Sequence, residues 1–493
     1  MPKAIVIGSG FSGLSAAATL AKSGWQVTVL EKNDQAGGRA RIWKKDGYTF
    51  DMGPSWYWMP DVFESFYNQF GKTTADFYQL VRLNPSYKVV YEDQTEMFVP
   101  AEIEKLEALF ESKEAGSGLK LRAFLKDAKY KYETAMSEYV TRICDKPTEF
   151  FDLKLIMKSF QMELFSSLKQ TVRKKFSHPH LVKLLEFPVL FLGATPANTP
   201  ALYSMMNYAD LSLGTWYPMG GMNEIVKAFV SICESQGVEI KVNEAVEKIE
   251  VHNKKAKRVI TSGASYEADL VIAGSDYEHT EQNLLDKVYR HYDEHYWDKR
   301  TMSPSSLLIY LGVNKRIPNL LHHNLFFDSN FDLHAAEIYD EPKWPTDPLF
   351  YVCCPSKTDN SVAPEGCENI FVLMPLAAGL QDSDAMRKKY RDLLIKKIET
   401  HTGTAIEQNI VVERSYAMSD FKSDYNSFKG NAYGLANTLA QTAIWKPKMK
   451  SPLVKNLFYT GQLTVPGPGV PPAIISGQIA AREANKLLIN TKH

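Results

Sequence analysis

Three glycines near the amino terminus are the first residues with chemistry to offer. Gly8, Gly10 and Gly13 set the spacing G-x-G-x-x-G in the turn Gly8-Ser9-Gly10-Phe11-Ser12-Gly13. The spacing alone recurs by chance in loops, but its flanks make it specific. Ala4-Ile5-Val6-Ile7 before it suits a strand buried on both faces. Leu14 to Lys22 after it is Ala-rich and helical, Gln26 to Leu30 reads as a second strand, and Glu31 closes the unit. This is the order of a dinucleotide-binding βαβ unit. The first glycine makes the tight turn, the second lets a pyrophosphate approach the backbone, and the third lets helix and strand pack closely. The helix start adds free N–H groups and a positive dipole end. Glu31 is placed to accept both ribose hydroxyls and to repel a 2′-phosphate.

Further turns separate FAD from NAD. Ala36-Gly37-Gly38-Arg39-Ala40-Arg41 brings backbone and a guanidinium toward a second phosphate and a ribityl chain. Phe50-Asp51-Met52-Gly53-Pro54-Ser55-Trp56 follows another short strand, and its glycine suggests backbone lying against a flat ligand. Near the other end, the strand Leu457 to Gln462 runs into Pro466-Gly467-Pro468-Gly469-Val470-Pro471-Pro472, then into a helix from about Ala473 to Leu488. A strand, a rigid turn and a helix start make a second dipole site, suited to the N1/C2=O end of a flavin.

The elements that must hold these turns are spread over the whole chain. At 493 residues it is too long for one ordinary core. The expected fold is α/β: a Rossmann-like FAD-binding domain (of the glutathione-reductase/amine-oxidase type, on the family resemblance given below), a second mixed-sheet substrate domain, and a helical membrane-contacting insertion. Residues 1–95, 214–300 and 450–493 are assigned to a discontinuous FAD-binding domain. Residues 96–213 form the helical insertion, with membrane contact and substrate entrance, and 301–449 the substrate-binding domain with its own β-sheet. The markers for resumption of the nucleotide domain are Gly214 to Met222, the strand-turn-strand pattern Gly237 to Val251, and the buried strand Ala268 to Gly274. Ser306 to Val313 and Ile370 to Leu376 read as strands of the second sheet.

Composition excludes several function classes. Apolar residues at 44% and charged residues at 23% are globular usage, which rules out disordered, collagenous and coiled-coil chains. Lys plus Arg and Asp plus Glu are equal at 57 each, whereas a protein that grips nucleic acid as a whole is basic. The five cysteines are sparse and lack metal or disulfide spacing, so reduced thiols in the cytoplasm are expected. No run of 18 apolar residues appears, and the amino-terminal apolar stretch belongs to the glycine turn rather than to a signal peptide. Asp152 to Lys183 is basic and amphipathic: Lys154, Lys158, Lys169, Arg173, Lys174, Lys175 and Lys183 interleave with Phe150, Phe151, Leu155, Ile156, Phe160, Leu164, Phe165 and Leu168. That pattern suits an anionic membrane surface.

Taken together, these landmarks resemble the bacterial phytoene-desaturase-type carotenoid desaturases, an FAD-dependent family of the flavin amine oxidase superfamily. The resemblance covers nearly the whole chain. It is carried by the stretch from Val6 to Arg41, Phe50 to Glu64, Gly214 to Met222, Ala268 to Thr280, Thr358 to Gly366, and Gly461 to Ala481. It implies hydride transfer from an allylic carbon to flavin N5, with the proton going to a weak base or to the reduced flavin. It further implies a C40 substrate drawn from lipid, most simply phytoene toward lycopene, with a later 3,4-desaturation of hydroxylated carotenoids as the nearest variant. The electron acceptor would be oxygen or a quinone, and the enzyme would sit in the cytoplasm, peripherally associated with the cell membrane. A flavin amine oxidase and a non-catalytic carotenoid carrier are the rival readings. The chain departs from the family's Thr-His-Pro-Gly at Thr464-Val465-Pro466-Gly467, and from Asn-Ala-Asp at Gly274-Ser275-Asp276.

Candidate cofactor contacts are Gly8, Ser9, Gly10, Phe11, Ser12, Gly13, Glu31, Lys32, Gly38, Arg39, Ala40, Gly53, Pro54, Ser55, Val246, Gly461, Gln462, Gly469, Val470 and Pro471. No catalytic dyad stands out, and Asp276 and the histidines are left without a role. The pair His322-His323 invites a metal, but no acidic or Cys partner lies near it in sequence and none is expected.

Overall fold

The apolar run at the start of the chain forms the middle of a parallel sheet. In the computed structural model, which describes residues 1–140, 162–163, 166–438, 441–442 and 445–490, five strands lie in the order Leu457–Tyr459, Leu270–Ala273, Lys3–Ile7, Gln26–Leu30 and Glu239–Lys241. All neighbours are parallel. Strand residues alternate between two cores. Ala4 and Val6 face the helices Phe11–Lys22, Asn223–Ser235 and Val470–Asn490. Ile5 and Ile7 face a three-stranded antiparallel sheet built by Val246–His252, Lys255–Thr261 and Ser265–Glu267. The stretch Gly237 to Val251 therefore splits: its first strand extends the parallel sheet and its second begins the antiparallel one.

The two ends of the chain meet in this unit. The Ser15 hydroxyl on the first helix donates to the Ile474 carbonyl of the last helix at 2.8 Å. A Cβ on Gly477 would stand 2.1 Å from the Ser12 carbonyl oxygen, so only glycine lets the two helices come this close.

The second sheet has seven strands, ordered Ile410–Tyr416, Ser305–Val313, Glu368–Leu376, Phe350–Cys353, His323–Phe327, Tyr87–Tyr91 and Glu96–Val99. It is antiparallel except where Tyr87–Tyr91 runs beside His323–Phe327. One face packs on the helix Asp384–Thr402 through Leu307, Ile309, Leu394 and Ile398. The other, with Leu308, Tyr310, Leu325, Phe327, Tyr351 and Leu373, joins the core shared with the nucleotide half. The Tyr310 hydroxyl crosses between the halves and donates to the Met52 carbonyl at 2.8 Å.

Two boundary expectations need correction. A division at 95/96 cuts a hairpin, because Tyr87–Tyr91 and Glu96–Val99 pair with each other and then with His323–Phe327. These strands belong to the seven-stranded sheet rather than to the nucleotide unit. The carboxy-terminal helix starts at Val470, earlier than Ala473. Along the chain between Glu96–Val99 and Trp216–Pro218 come Ile103–Lys113, Ser117–Thr134, Leu168–Lys175 and Pro179–Glu186, all helical. Part of the basic amphipathic stretch, including Phe150 to Phe160, Leu164 and Phe165, falls outside the described residues. In its described part, Arg173 pairs with the buried Glu186 at 2.9 Å and Lys183 with Glu92 at 3.1 Å, while Lys174 is exposed. No described helix is long and apolar enough to cross a membrane.

Candidate flavin site and apolar cavity

Two glycines of the first turn serve different partners. A Cβ on Gly13 would lie 2.0 Å from the Gly8 carbonyl oxygen, so this glycine is required by the packing of helix on strand. Gly10 has ordinary extended backbone, φ −68° and ψ 172°, and a Cβ there would meet no protein atom within 4 Å. Neither backbone nor packing asks for glycine at that position. The open space above it fits a pyrophosphate lying against the chain.

Glu31 ends the second strand with its carboxylate buried and fully oriented. Oε2 accepts from the Ser9 amide at 2.9 Å and the Ser9 hydroxyl at 2.6 Å, and Oε1 from the Asn33 amide at 2.9 Å and Nδ2 at 3.1 Å. Four bonds use the roughly four lone-pair sites of the carboxylate and fix its orientation, so a ribose hydroxyl there would share an oxygen that already accepts. Val246 lies two residues past Glu244, whose amide donates to the Glu31 carbonyl at 2.7 Å. Lys32 turns elsewhere: Nζ contacts the Ser423 carbonyl and Asn426 Oδ1.

The Gly-Gly-Arg turn docks on this unit. The Gly37 amide donates to the Ser9 carbonyl at 3.0 Å, and a Cβ on Gly38 would stand 3.2 Å from Gly10 Cα. Gly53 lies against the same turn, since a Cβ there would reach 2.5 Å from the Arg39 carbonyl oxygen, and Pro54 and Ser55 lead away from it. Arg39 Nη2 donates to Ser427 Oγ at 3.0 Å and the Asn431 carbonyl at 3.3 Å. With the Gln462 amide oriented to suit its neighbours, Gln462 accepts from Arg39 Nη2 at 3.0 Å. Arg39 Nε is buried with no partner among the described residues, a donor free for an anion. Burial pushes the Arg39 pKa down, and Asp276 opposes it. Asp276, which caps the helix at Tyr277 and accepts from the Phe428 amide at 3.2 Å, thus balances the guanidinium and ties down the loop around it.

The carboxy-terminal segment closes the arrangement. The Gly461 amide donates to Ser476 Oγ at 3.0 Å, and a Cβ on Gly461 would meet Ser12 Oγ at 3.3 Å. Gly469, Val470 and Pro471 follow at the start of the last helix. So the segments 8–13 and 37–40 and the residues Gly461 and Gln462 are brought together, while the Lys32 side chain is engaged elsewhere. Lys446 is a residue that no motif signalled. Its Nζ is buried with no partner among the described residues, it lies 3.1 Å from where a Gly467 Cβ would be, and burial lowers its pKa to about 7.

Beside this region the seven-stranded sheet walls an almost wholly apolar cavity. Phe187, Leu325, Phe327, Phe331, Ile338, Leu349, Phe350, Tyr351, Leu373 and Tyr433 line it, with Ala335 and Tyr339 from the helix Phe331–Tyr339. Tyr351 joins cavity to cofactor segment: its hydroxyl donates to Ser55 Oγ at 3.1 Å and lies 2.6 Å from His323 Nδ1. His323 stacks on Trp56, with ring centroids 4.1 Å apart. His322 bonds Thr358 Oγ1 through Nδ1 at 2.8 Å. Sequence distance hid the partner of the histidine pair. Cys353 stands opposite His323 in the sheet, and ligand atoms of His322, His323 and Cys353 lie within 4.8 Å of one another, all buried. Burial holds both histidines neutral, His322 down to about 3.

Residues 11–485 match the model of the flavin containing amine oxidoreductases. This chain belongs to that family. It is an FAD-dependent oxidoreductase, and the residues above fit the cofactor, which supplies the hydride acceptor that no side chain offers. Within the family it groups with carotenoid desaturases. It is 41% identical over 477 residues to the carotenoid 3,4-desaturase of Haloarcula japonica, covering 97% of this chain and 96% of that one. It is 32% identical over 487 residues to the 4,4′-diapophytoene desaturase (4,4′-diaponeurosporene-forming) of Staphylococcus haemolyticus, covering 97% of each. The fold is similar to that of cyclohexylamine oxidase from Brevibacterium oxydans, with a TM-score of 0.60, 13% identity and 99% of both chains covered. A putrescine oxidase variant gives a TM-score of 0.63 at 14% identity, covering 98% of this chain and 99% of that one.

Proposed function

We propose that this flavoenzyme desaturates an acyclic C40 carotenoid, and that its bond of choice is the 3,4 bond near one end of the polyene. The observation that carries the substrate class is the apolar cavity whose wall residue Tyr351 is hydrogen-bonded to Ser55. A hydrocarbon rod can be held there by shape alone, with its reacting bond brought beside the flavin-binding segment. The higher identity to a 3,4-desaturase supports the choice of bond. Desaturation of phytoene toward lycopene is the second reading, favoured by the likeness to diapophytoene desaturases.

The same reading assigns FAD to Gly8 through Gly13, Glu31, Gly38 to Ala40, Gly53 to Ser55, Val246, Gly461, Gln462 and Gly469 to Pro471. Arg39 Nε and the Gly10 backbone would face the phosphates. It keeps the division into a nucleotide unit, a substrate sheet and a helical insertion, with the substrate sheet beginning near Tyr87. It further takes reoxidation by oxygen or a quinone, and peripheral attachment to the cytoplasmic face of the cell membrane through the insertion. Attachment predicts pelleting with anionic liposomes that is lost at high salt; pelleting that ignores salt and lipid charge would count against it.

Expression in hosts that accumulate phytoene, lycopene or a hydroxylated acyclic carotenoid tests the reaction. Each new double bond lengthens the conjugated system and shifts absorption to the red. A red shift only in the host with preformed polyene supports 3,4-desaturation, and colour from phytoene supports the second reading. No shift in any host, with flavin bound, rejects both.

A further inference from the structure

The cavity wall holds one polar group out of place. Of its hydrogen-bonding side chains, His334 has both ring nitrogens in use, Nε2 with the Pro375 carbonyl at 3.1 Å and Nδ1 accepting from the Leu349 amide at 3.0 Å. Tyr351 is engaged by Ser55 and His323. The Tyr339 hydroxyl, by contrast, is shut off from solvent with no partner among the described residues. It ends the helix Phe331–Tyr339 against the cavity, whose wall also holds Tyr433. A buried hydroxyl without a partner is destabilising, because its lost hydration is not repaid. A phenylalanine would fill the same space without that cost, so the oxygen has a use that the protein alone does not supply.

We propose that Tyr339 is a specificity-determining residue that hydrogen-bonds a tertiary hydroxyl on the end of the acyclic carotenoid. The inference rests on the 3,4-desaturation reading and sharpens it. In an acyclic carotenoid hydroxylated at C1, only C2 separates the hydroxyl-bearing carbon from the C3–C4 bond. A residue that grips this hydroxyl therefore also fixes which bond reaches the flavin. Tyr433 supports that placement: it lines the cavity beside Tyr339, two residues from Asn431, whose carbonyl accepts from Arg39. His334 and Tyr351 are already engaged and the aliphatic and phenylalanine lining offers no polar group, whereas a site with a hydrogen-bonding group left unpaired disfavours a ligand that lacks the matching hydroxyl.

The test compares Tyr339→Phe with the parent, both as FAD-loaded protein, on two ligands: an acyclic polyene with a C1 hydroxyl and the same polyene without it. Binding is read by quenching of protein fluorescence and turnover by the red shift of the polyene. The parent should bind the hydroxylated ligand better, and Tyr339→Phe should lower that preference roughly tenfold, by weakening the hydroxylated ligand and leaving the other unchanged. An unchanged flavin spectrum in the variant shows that the fold is intact. If the binding preference does not change, or both ligands weaken alike, Tyr339 reads no hydroxyl and the proposal falls. If the preference changes as expected but neither ligand is turned over, Tyr339 stands as the reader and the 3,4-desaturation reading falls instead.

Discussion

Two buried carboxylates, Glu31 at the end of a strand of the parallel sheet and Asp210 beside the seven-stranded sheet, are served differently. Glu31 has four donors on its two oxygens. Asp210, equally buried beside the seven-stranded sheet, has the Tyr87 hydroxyl at 2.7 Å and Thr215 Oγ1 at 3.4 Å. Burial accordingly raises the Asp210 pKa to about 7. The difference follows from what each region must hold. A nucleotide is read by backbone and fixed polar groups, so its site is made of short motifs with exact spacing needs. A hydrocarbon is read by shape, so its site is made of side chains gathered from many strands.

The glycine turn gives the sharpest way to break this comparison. Gly13→Val should abolish soluble, folded protein, because its side chain would collide with the Gly8 carbonyl. Gly10→Val should fold, keep its melting profile as apoprotein, and lose FAD, because the new side chain meets only the space meant for the ligand. Flavin absorbance and circular dichroism of the two variants check this; full flavin occupancy in Gly10→Val would overturn the assignment of the pyrophosphate.

On the other side of the comparison, Ala335→Trp should fill the apolar cavity and leave the nucleotide segments untouched. Turnover of any carotenoid should fall at least about a hundredfold, the loss expected when a reacting group is displaced by an ångström or more, with FAD retained. Turnover unchanged in this variant would move the substrate elsewhere.

Asp210 gives a smaller effect, readable as pH dependence. Its folded-state pKa lies above the ordinary carboxylate value, so between about pH 4 and 7 the folded protein holds a proton that the unfolded chain has released. Stability on this account is greatest below that window and falls as pH rises through it. At roughly 1.4 kcal/mol per pKa unit, the change amounts to a few kcal/mol. The melting temperature of Asp210→Asn should therefore decline less between pH 5 and 8 than that of the parent, and equal slopes would contradict the sparse solvation of this carboxylate. Glu31→Ala should cost FAD affinity about 1–3 kcal/mol, measured by flavin titration, as expected for lost charged hydrogen bonds.

The same contrast explains what could be read from the chain. The βαβ unit, the Gly-Gly-Arg turn and the carboxy-terminal helix are local patterns, and each appears near where its residues suggest, the helix starting one turn early at Val470. Tyr87–Tyr91 also looks like a strand, but its neighbour His323–Phe327 is more than two hundred residues away, and no local pattern announces that pairing. Cys353 is invisible as a partner of His322 and His323 for the same reason: the sheet register joins them. Tyr339 and Ala335 look like ordinary residues of a short helix, and only the cavity they line gives them meaning. Lys446 is one lysine among many until its burial is known.

The central claim is that a carotenoid in this cavity gives up a hydride to the bound flavin. Mixing FAD-loaded protein with a hydroxylated acyclic carotenoid in the absence of oxygen tests it in a single turnover. The account predicts that the oxidised flavin absorbance bleaches while the polyene band shifts to the red, with one new double bond formed for each flavin reduced. Flavin that stays oxidised with this carotenoid and with phytoene, while a soluble amine bleaches it, would contradict the account and make the chain an amine oxidase.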